Sequence, residues 1–306
     1  MKIMVFDVGG TEIKYSVMDE QMHRTNSGAV PTPQDTQAQF LDAVYRLYAP
    51  HKDEVTGIAM ALPGFVDNHP GYVSNGGALL YNTATPVGQL LAEKCGCPVI
   101  LENDGKAAAM AELANGALKG CCNAAVFIIG TGVGGGIIAN GQLVRGVHFT
   151  AGEYSFVNTN AEAWDAPDQN MACQCSTSNL LKWYRARKAL PEDAPLDGRS
   201  FFAAANAGEP EALEVLRRFC HAVAVQIYNL TVLLDVEKVA IGGGISKQPL
   251  LLESLRSAYD GLYASRAGQA YMEGLPRCQI VPCAFSSEAN QVGVAAAYFE
   301  AMQKKC

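Results

Sequence analysis

The residues whose types could do chemistry most directly are Glu102, Asn103 and Asp104, in the stretch CPVILENDGKAAAMAE. An apolar strand pattern ends at this cluster, and an alanine-rich helix pattern over residues 105 to 117 begins after it. Open α/β sheets bind ligands beyond the carboxyl ends of their strands, so a carboxylate here is well placed to accept a proton from a bound hydroxyl. Asn and Asp are also favoured helix N-caps, so from these residues alone a purely structural role for Asn103 or Asp104 stays open.

Three glycine-rich turns are the next candidates, at residues 7 to 11 (DVGGT), 130 to 136 (GTGVGGG) and 242 to 246 (GGGIS). Each of the first two joins two strand patterns. Backbone N–H groups in such a turn form a nest for phosphate, and the hydroxyl of Thr11 adds a donor. Tight hairpins also use glycine for local reasons, but two such turns predict one polyphosphate held from both sides. The three glycines of the last segment, between a strand and a helix, would let the flat adenine ring lie on the backbone. The sequence contains neither a Walker P-loop nor a Rossmann turn that leads directly into a helix.

The elements that must position these residues form two cycles of strands and helices. Strand patterns at 2 to 8 and 12 to 19 flank the first turn. They are followed by a helix at 36 to 49, a strand ending at Pro63-Gly64, a helix at 87 to 96 and a strand at 97 to 101. From Asn123 the strand–turn–strand layout is repeated. An irregular stretch at 146 to 175, helices at 177 to 188 and 209 to 234, strands at 238 to 246 and 278 to 283 and a helix at 288 to 304 complete the chain. We expect an N-terminal α/β lobe of residues 1–118, joined by the C-terminal helix 289–306, a larger α/β lobe of residues 119–288, and a cleft between them.

Composition excludes several classes of protein. With 49% hydrophobic and 17% charged residues over 306 positions, the chain is typical of a globular protein. The net charge of −7, without a run of Lys or Arg, argues against a nucleic-acid partner. No apolar stretch is long enough to span a membrane, and the N-terminus turns polar at Asp7, too early for a signal peptide. We therefore expect a cytoplasmic protein without a membrane partner, whose ten cysteines are free thiols.

Six motifs occur in an order that resembles one known family. DVGGTEIK (7 to 14), ALPGFVD (61 to 67), ENDGKAAAMAE (102 to 112), GTGVGGG, AGE (151 to 153) and GGGIS are similar to motifs of the ROK family of sugar kinases and sugar-sensing repressors, in the actin-like ATPase superfamily. The resemblance covers nearly the whole chain. It implies two actin-like (ribonuclease H-like) lobes and transfer of the γ-phosphate of ATP to a hydroxyl, expected to be the 6-OH, of a hexose or β-glucoside. It also implies ATP and Mg²⁺ as cofactors, a small-molecule sugar substrate and a homodimer.

The resemblance assigns roles to individual residues. Asp104 would be the catalytic base, and the sugar would be bound by Gly64, Asn103, Asp104 and Glu153. The nucleotide would be held by the turns and their flanks: Asp7, Gly9, Gly10, Thr11, Lys14, Thr131, Gly132, Gly242, Gly243 and Gly244. Asp7 would lie near the magnesium bound to ATP and hold it through water, since that ion dehydrates reluctantly. Glu102 stays open, because it would either orient its neighbours or face solvent.

One region departs from the family pattern. The commonest form has a His and three Cys that hold a structural zinc, whereas this chain keeps Cys173 and Cys175 but has Phe156 in place of the His and Leu180 in place of the third Cys. Because a tetrahedral zinc needs four ligands, we predict no zinc site. The segment Ser176-Thr177-Ser178 resembles the branch that includes β-glucoside kinases. Phe156 would either stack on a bulky or aryl-substituted sugar or fill the volume of the lost zinc site, and both interpretations stay open.

Two other functions compete with an active sugar kinase. Repressors of this family carry a helix-turn-helix domain ahead of the Asp-x-Gly-Gly-Thr motif, and because that motif starts at residue 7 we expect no such domain. The remaining alternative is a sugar-binding regulatory ROK protein without kinase activity. The presence of Asp7, Asp104 and both glycine hairpins argues against it.

Overall fold

The computed structural model describes residues 1–68, 70–266, 268–270 and 273–303. The chain divides into two compact units: unit 1 contains Met1–Gly116, Leu143–Ala151 and Ser287–Cys306, and unit 2 contains Ala117–Gln142 and Gly152–Ser286. The elements in chain order are β1 (Lys2–Val8), β2 (Glu12–Asp19), β3 (Arg24–Pro31), α1 (Gln37–Tyr48), β4 (Ile58–Leu62), β5 (Phe65–Asp67), β6 (Tyr72–Asn75), α2 (Val87–Cys95), β7 (Val99–Asn103), α3 (Asp104–Asn115), β8 (Ala124–Ile129), β9 (Val133–Ala139), β10 (Gln142–Leu143), α4 (Met171–Cys175), α5 (Thr177–Arg187), α6 (Gly198–Asn206), α7 (Pro210–Leu234), β11 (Lys238–Gly242), α8 (Pro249–Ala264), β12 (Gln279–Pro282) and α9 (Ala289–Gln303).

The sheet of unit 1 has the strand order β3-β2-β1-β4-β7. The first three strands form an antiparallel meander, and β1, β4 and β7 are parallel to one another. The apolar run KIMVFDV makes β1 a central strand, buried at every position after Lys2. Because β1, β4 and β7 point the same way, the residues that follow them meet at one edge of the sheet.

Helices α3 and α9 pack against each other and against this sheet. The sequence of α3, DGKAAAMAELAN, supplies small side chains that allow a close approach. At Gly293 of α9 a Cβ would overlap the carbonyl oxygen of Ala107 in α3. A glycine is therefore required at this crossing, and the C-terminal helix is an integral part of unit 1.

Unit 2 repeats the topology of unit 1. Its sheet has the order β10-β9-β8-β11-β12, with β8 and β9 antiparallel and β8, β11 and β12 parallel. Its core includes Phe127 of β8 together with Phe201 of α6 and Phe219 of α7, all fully or almost fully buried. The predicted α/β class, with two related units, is confirmed.

Some elements escaped sequence analysis. The strand β3, RTNSGAVP, is mostly exposed and lacks an apolar alternation, and it is held by its backbone pairing to β2. The β5–β6 hairpin and the helix α6 were also not predicted. Leu143–Ala151 groups with unit 1, although the predicted boundaries place these residues in the second lobe.

Two bulk properties follow from the described residues. None of their helices has the length and apolarity needed to cross a membrane. None of their nine cysteines is in a disulfide, and four of the nine are buried.

Candidate active site

Asn103 and Asp104 lie at the junction between β7 and α3. Asn103 is the N-cap of α3, and its Oδ1 accepts the backbone N–H of Lys106 at 3.0 Å. Asp104 is the first helical residue, and its Oδ1 accepts the N–H of Gly105 at 2.7 Å. The capping role therefore belongs to Asn103. A helix N-terminus also favours a negative charge, so Asp104 stands where a carboxylate is stabilised by the backbone.

Gly64, directly after β4, is fixed to this junction. The Nδ2 of Asn103 donates to the carbonyl oxygen of Gly64 at 2.9 Å. Gly64 has a φ of +92°, and a Cβ at this position would overlap the carbonyl oxygen of Asn75. Only glycine fits both the left-handed conformation and the close backbone approach, so the sequence Pro63-Gly64 is explained by local geometry.

Glu102 is completely buried and does not face solvent. Its Oε1 accepts the backbone N–H of Asn103 at 3.0 Å, and its Oε2 accepts Nε and Nη2 of Arg145 at 2.9 and 2.8 Å. Burial raises the pKa of the Glu102 carboxyl, while Arg145, the Asn103 N–H and the nearby Lys106 oppose that rise. Glu102 therefore orients its neighbour. Arg145 was missed because nothing in its local sequence distinguishes it from a surface arginine.

The turn between β1 and β2 is anchored by two side chains that follow β3 in the chain. The hydroxyl of Thr32 donates to the carbonyl oxygen of Gly9 at 2.8 Å, and Nε2 of Gln34 donates to that of Gly10 at 2.7 Å. Thr11 is exposed at the tip. These contacts fix the turn through its carbonyl groups. The N–H of Gly9 donates to the carbonyl oxygen of Glu12 at 2.9 Å, so it is not among the donors that a nest for an anion could use.

Asp7 lies in β1 directly opposite Lys14 of β2. It is only 8% exposed, and Nδ2 of Asn290 in α9 donates to its Oδ1 at 2.9 Å. Burial raises the pKa of the Asp7 carboxyl, and the hydrogen bond from Asn290 and the charge of Lys14 act in the opposite direction. Asn290 is a second residue that sequence analysis did not single out.

The unit 1 candidates meet at one edge of the sheet. In the parallel ladder, Asp7 pairs with Ala61 of β4, and Leu62 of β4 pairs with Asn103. The carboxyl ends of β1, β4 and β7 are therefore neighbours, and Asp7 and Asn103 are two strand spacings apart, about 10 Å. A glycine turn, a buried carboxylate, Gly64 and the Asn103–Asp104 pair thus share this edge.

Unit 2 presents the second hairpin, whose tip is formed by Thr131 and Gly132 between β8 and β9. The Oγ of Ser155 accepts the backbone N–H of Val133, the residue after Gly132, at a distance of 3.1 Å. Thr177, the first residue of α5, donates its N–H to the carbonyl oxygen of Gly130 at 2.8 Å. The turn is therefore braced by two segments that come later in the chain.

The third glycine segment ends β11 beside that hairpin. Gly242 pairs with Ile128 of β8, and a Cβ on Gly243, whose φ is +96°, would overlap the carbonyl oxygen of Ile129. Ser246 closes the segment with bonds from its N–H and Oγ to the carbonyl oxygen of Gly243, at 3.2 and 2.9 Å. Gly244 and this turn precede α8. The two glycine segments of unit 2 therefore lie at the carboxyl ends of adjacent parallel strands.

Glu153 is partly buried in unit 2, between two anchored neighbours. Gly152, with a φ of +79°, packs against Gly136 of β9, and the hydroxyl of Tyr154 donates to the Gly136 carbonyl oxygen at 3.1 Å. The Tyr154 ring is buried edge-on against Phe127. The position of the Glu153 backbone is thus set by the core of unit 2.

The region where the commonest form of the family has its zinc motif contains no such motif in this chain. Phe156 is 71% exposed, so it does not fill a buried volume, and that interpretation is wrong. Cys175 and Leu180 are buried, and Cys173 is half-buried. Ser176 caps α5 by accepting the N–H of Asn179 at 3.2 Å. Within the described part of the chain, no group of three or more His, Cys, Asp or Glu side chains is placed to hold a metal ion; the absence of zinc stays a prediction.

Comparison with known proteins gives one consistent relationship. The ROK family model matches residues 3–303. A β-glucoside kinase from Klebsiella pneumoniae is 31% identical over 259 residues, which cover 84% of this chain and 86% of the relative. The structure of a ROK family protein from Streptococcus pneumoniae TIGR4 in complex with sucrose matches with a TM-score of 0.87 at 27% identity, covering 99% of this chain and 100% of the other. A ROK glucokinase from Streptomyces griseus in complex with glucose and AMPPNP matches with a TM-score of 0.78 at 25% identity, covering 97% and 99%.

Proposed function

The chain belongs to the ROK family, and on that premise we propose that it is a sugar kinase that transfers the γ-phosphate of ATP to a hydroxyl of a hexose or β-glucoside. The observation that carries the proposal is the Asn103–Asp104 pair at the carboxyl end of β7, with Asn103 bonded to Gly64 and Asp104 at the start of α3. The β-glucoside kinase relative and the glucose-bound neighbour support this substrate class.

In this proposal Asp104 is the general base. Its carboxylate accepts the proton of the attacking hydroxyl, which we propose to be the 6-hydroxyl, while that oxygen bonds to the γ-phosphorus. The bond from the γ-phosphorus to the oxygen that bridges it to the β-phosphate breaks in the same transfer, and ADP leaves. Asp104 stands in the first turn of α3, where the helix dipole favours a negative charge.

Asn103 orients the sugar and the base together. Its Oδ1 and Nδ2 each make one bond, to the N–H of Lys106 and to the carbonyl oxygen of Gly64. An amide has two acceptor and two donor positions, so one of each is still available for sugar hydroxyls. Glu153, anchored through Gly152 and Tyr154, is proposed to accept further hydroxyl hydrogen bonds.

The nucleotide is proposed to bind at the glycine segments. The residues present fit Mg-ATP: the first hairpin is fixed through its carbonyl groups, Lys14 supplies a cation, and Asp7 supplies a hard carboxylate oxygen of the kind Mg²⁺ prefers. The hydrogen bond from Asn290 to Oδ1 fixes the orientation of the Asp7 carboxylate, and with it the position of Oδ2. When bound, the ion neutralises charge on the phosphates.

The test is ADP formation with Mg-ATP across a panel of glucose, mannose, N-acetylglucosamine, N-acetylmannosamine, cellobiose and aryl β-glucosides. An Asp104→Asn preparation, purified identically, controls for contaminating kinases. The proposal predicts sugar-dependent ADP formation by the unmodified chain and a phosphate on O6 of the product by NMR. Sugar binding in calorimetry without ADP formation above the Asp104→Asn control would refute it in favour of a sugar-binding regulator.

A further inference from the structure

A buried ion pair joins β7 to a segment that is distant in sequence. Glu102 is fully buried and immediately precedes Asn103, whose backbone N–H it binds. Arg145 donates to Oε2 of Glu102 from both Nε and Nη2, at 2.9 and 2.8 Å, and its side chain is 28% exposed. A buried carboxylate is costly unless a cation and hydrogen bonds compensate it. Arg145 provides that compensation at the residue next to the proposed sugar ligand.

Arg145 also closes the segment to which it belongs. Its carbonyl oxygen accepts the N–H of Ala151 at 3.1 Å, so the chain returns to Arg145 six residues later. Within this loop Phe149 has a φ of +58°, a conformation that a bulky residue adopts only when its surroundings impose it. The loop, Leu143–Ala151, is part of unit 1, and the next two residues of the chain are Gly152 and Glu153.

We propose that Arg145 is a positioning residue that fixes both the Asn103–Asp104 junction, through Glu102, and the chain segment that leads to Glu153. The guanidinium of Arg145 binds Glu102 at one end of this arrangement, and the backbone carbonyl oxygen of Arg145 accepts the N–H of Ala151 at the other. This inference rests on the proposed function, because Asn103, Asp104 and Glu153 are its sugar-binding and catalytic residues. Arg145 acts through these residues and does not itself touch the reacting atoms.

Removing the guanidinium has two separable consequences. First, the Glu102 carboxylate is left buried without its cation, which displaces it from the N–H of Asn103 or forces it to bind a proton. Second, the 145–151 loop loses its attachment to β7. When Glu102→Gln is added to Arg145→Met, no buried charge is left without its cation, but the 145–151 loop is still detached from β7. The double variant therefore distinguishes the effect of the charge from the effect of the loop.

The experiment compares Arg145→Met, Arg145→Lys, Glu102→Gln and Arg145→Met/Glu102→Gln with the unmodified chain. The matched control is Arg187→Met, which removes an exposed arginine with a similar 2.8 Å contact to Glu214. For Arg145→Met we expect the sugar KM to rise and kcat to fall by about tenfold each, with the KM for ATP within twofold. Arg145→Lys should recover part of this loss, and the double variant should exceed Arg145→Met in kcat. Arg187→Met should match the unmodified chain.

Amide hydrogen exchange provides a readout that needs neither sugar nor catalysis. In Arg145→Met we expect about tenfold faster exchange for Asn103 and for residues 146–153, and unchanged exchange in α7. Kinetic constants within twofold of the unmodified chain, in a variant that folds, would overturn the inference even if Tm falls, because the role would then be structural only. If Arg145→Met does not fold, Arg145→Lys and the double variant are judged by the same criteria. If the unmodified chain phosphorylates no sugar, the proposed function fails, and unchanged exchange of Asn103 would separately refute the role of Arg145.

Discussion

Replacing Asp104 by asparagine separates the chemistry of this residue from its place in the fold. The Oδ1 of the new side chain can still accept the N–H of Gly105, the 2.7 Å bond of the native residue. The N-cap of α3 is Asn103, so the cap is untouched. What is lost is one negative charge in the first turn of a helix, worth about 0.3 to 1 kcal/mol. For a chain of this size we expect Tm to fall by about 1 to 4 °C at most.

The catalytic effect of the same change is expected to be far larger. An amide oxygen cannot accept the hydroxyl proton, so kcat should fall by about 10²- to 10⁴-fold. That range corresponds to about 2.7 to 5.4 kcal/mol of transition-state stabilisation. The sugar dissociation constant should stay within about threefold, because the amide still forms hydrogen bonds in the place of the carboxylate.

The assay combines single-turnover phosphorylation, calorimetric sugar binding and thermal unfolding of the same preparations. Asp197→Asn is a suitable control, because Asp197 is an exposed N-cap of α6 whose Oδ1 accepts the N–H of Ser200 at 2.8 Å. It applies the same chemical change to a helix start in unit 2, and its kcat should be unchanged. A kcat for Asp104→Asn within a few-fold of the native value would show that Asp104 is not the base.

Three further predictions concern the rest of the site. Asn103→Ala should lower the free energy of unfolding by about 1 to 3 kcal/mol in chemical denaturation, since it removes a helix cap and a buried partner of Gly64. Asn103→Ser, which keeps a capping oxygen, should lose less, and equal losses would contradict this account. Glu153→Ala should raise the sugar KM by more than about tenfold with little change in the KM for ATP, and an unchanged sugar KM would show that other residues bind the sugar. Elemental analysis should find no stoichiometric zinc, and chelators should leave Tm unchanged; one zinc per chain would refute the prediction from Phe156 and Leu180.

The unit 1 arrangement of the site was accessible from sequence because its parts are local. A buried apolar run followed by Gly-Gly-Thr, a strand followed by Pro63-Gly64, and a strand that ends in Asn103-Asp104 before a helix each show where a strand stops. Parallel strands place their carboxyl ends at one edge, so the prediction that these residues gather follows from the fold class. The Asn103 cap is likewise local, since it involves residues three positions apart.

The contacts that hold the site in place were not accessible, because they join segments that are distant in sequence. Asn290 and Asp7 are 283 residues apart, and Arg145 and Glu102 are 43 apart. A lone Arg or Asn carries no signal of its partner, because the partner is chosen by which segments the packed sheets and helices bring together. The sequence by itself determined where strands end and which residue types stand there. Only the tertiary structure decided that Glu102 is buried against Arg145 and that Phe156 is exposed, because burial is set by packing among many segments at once.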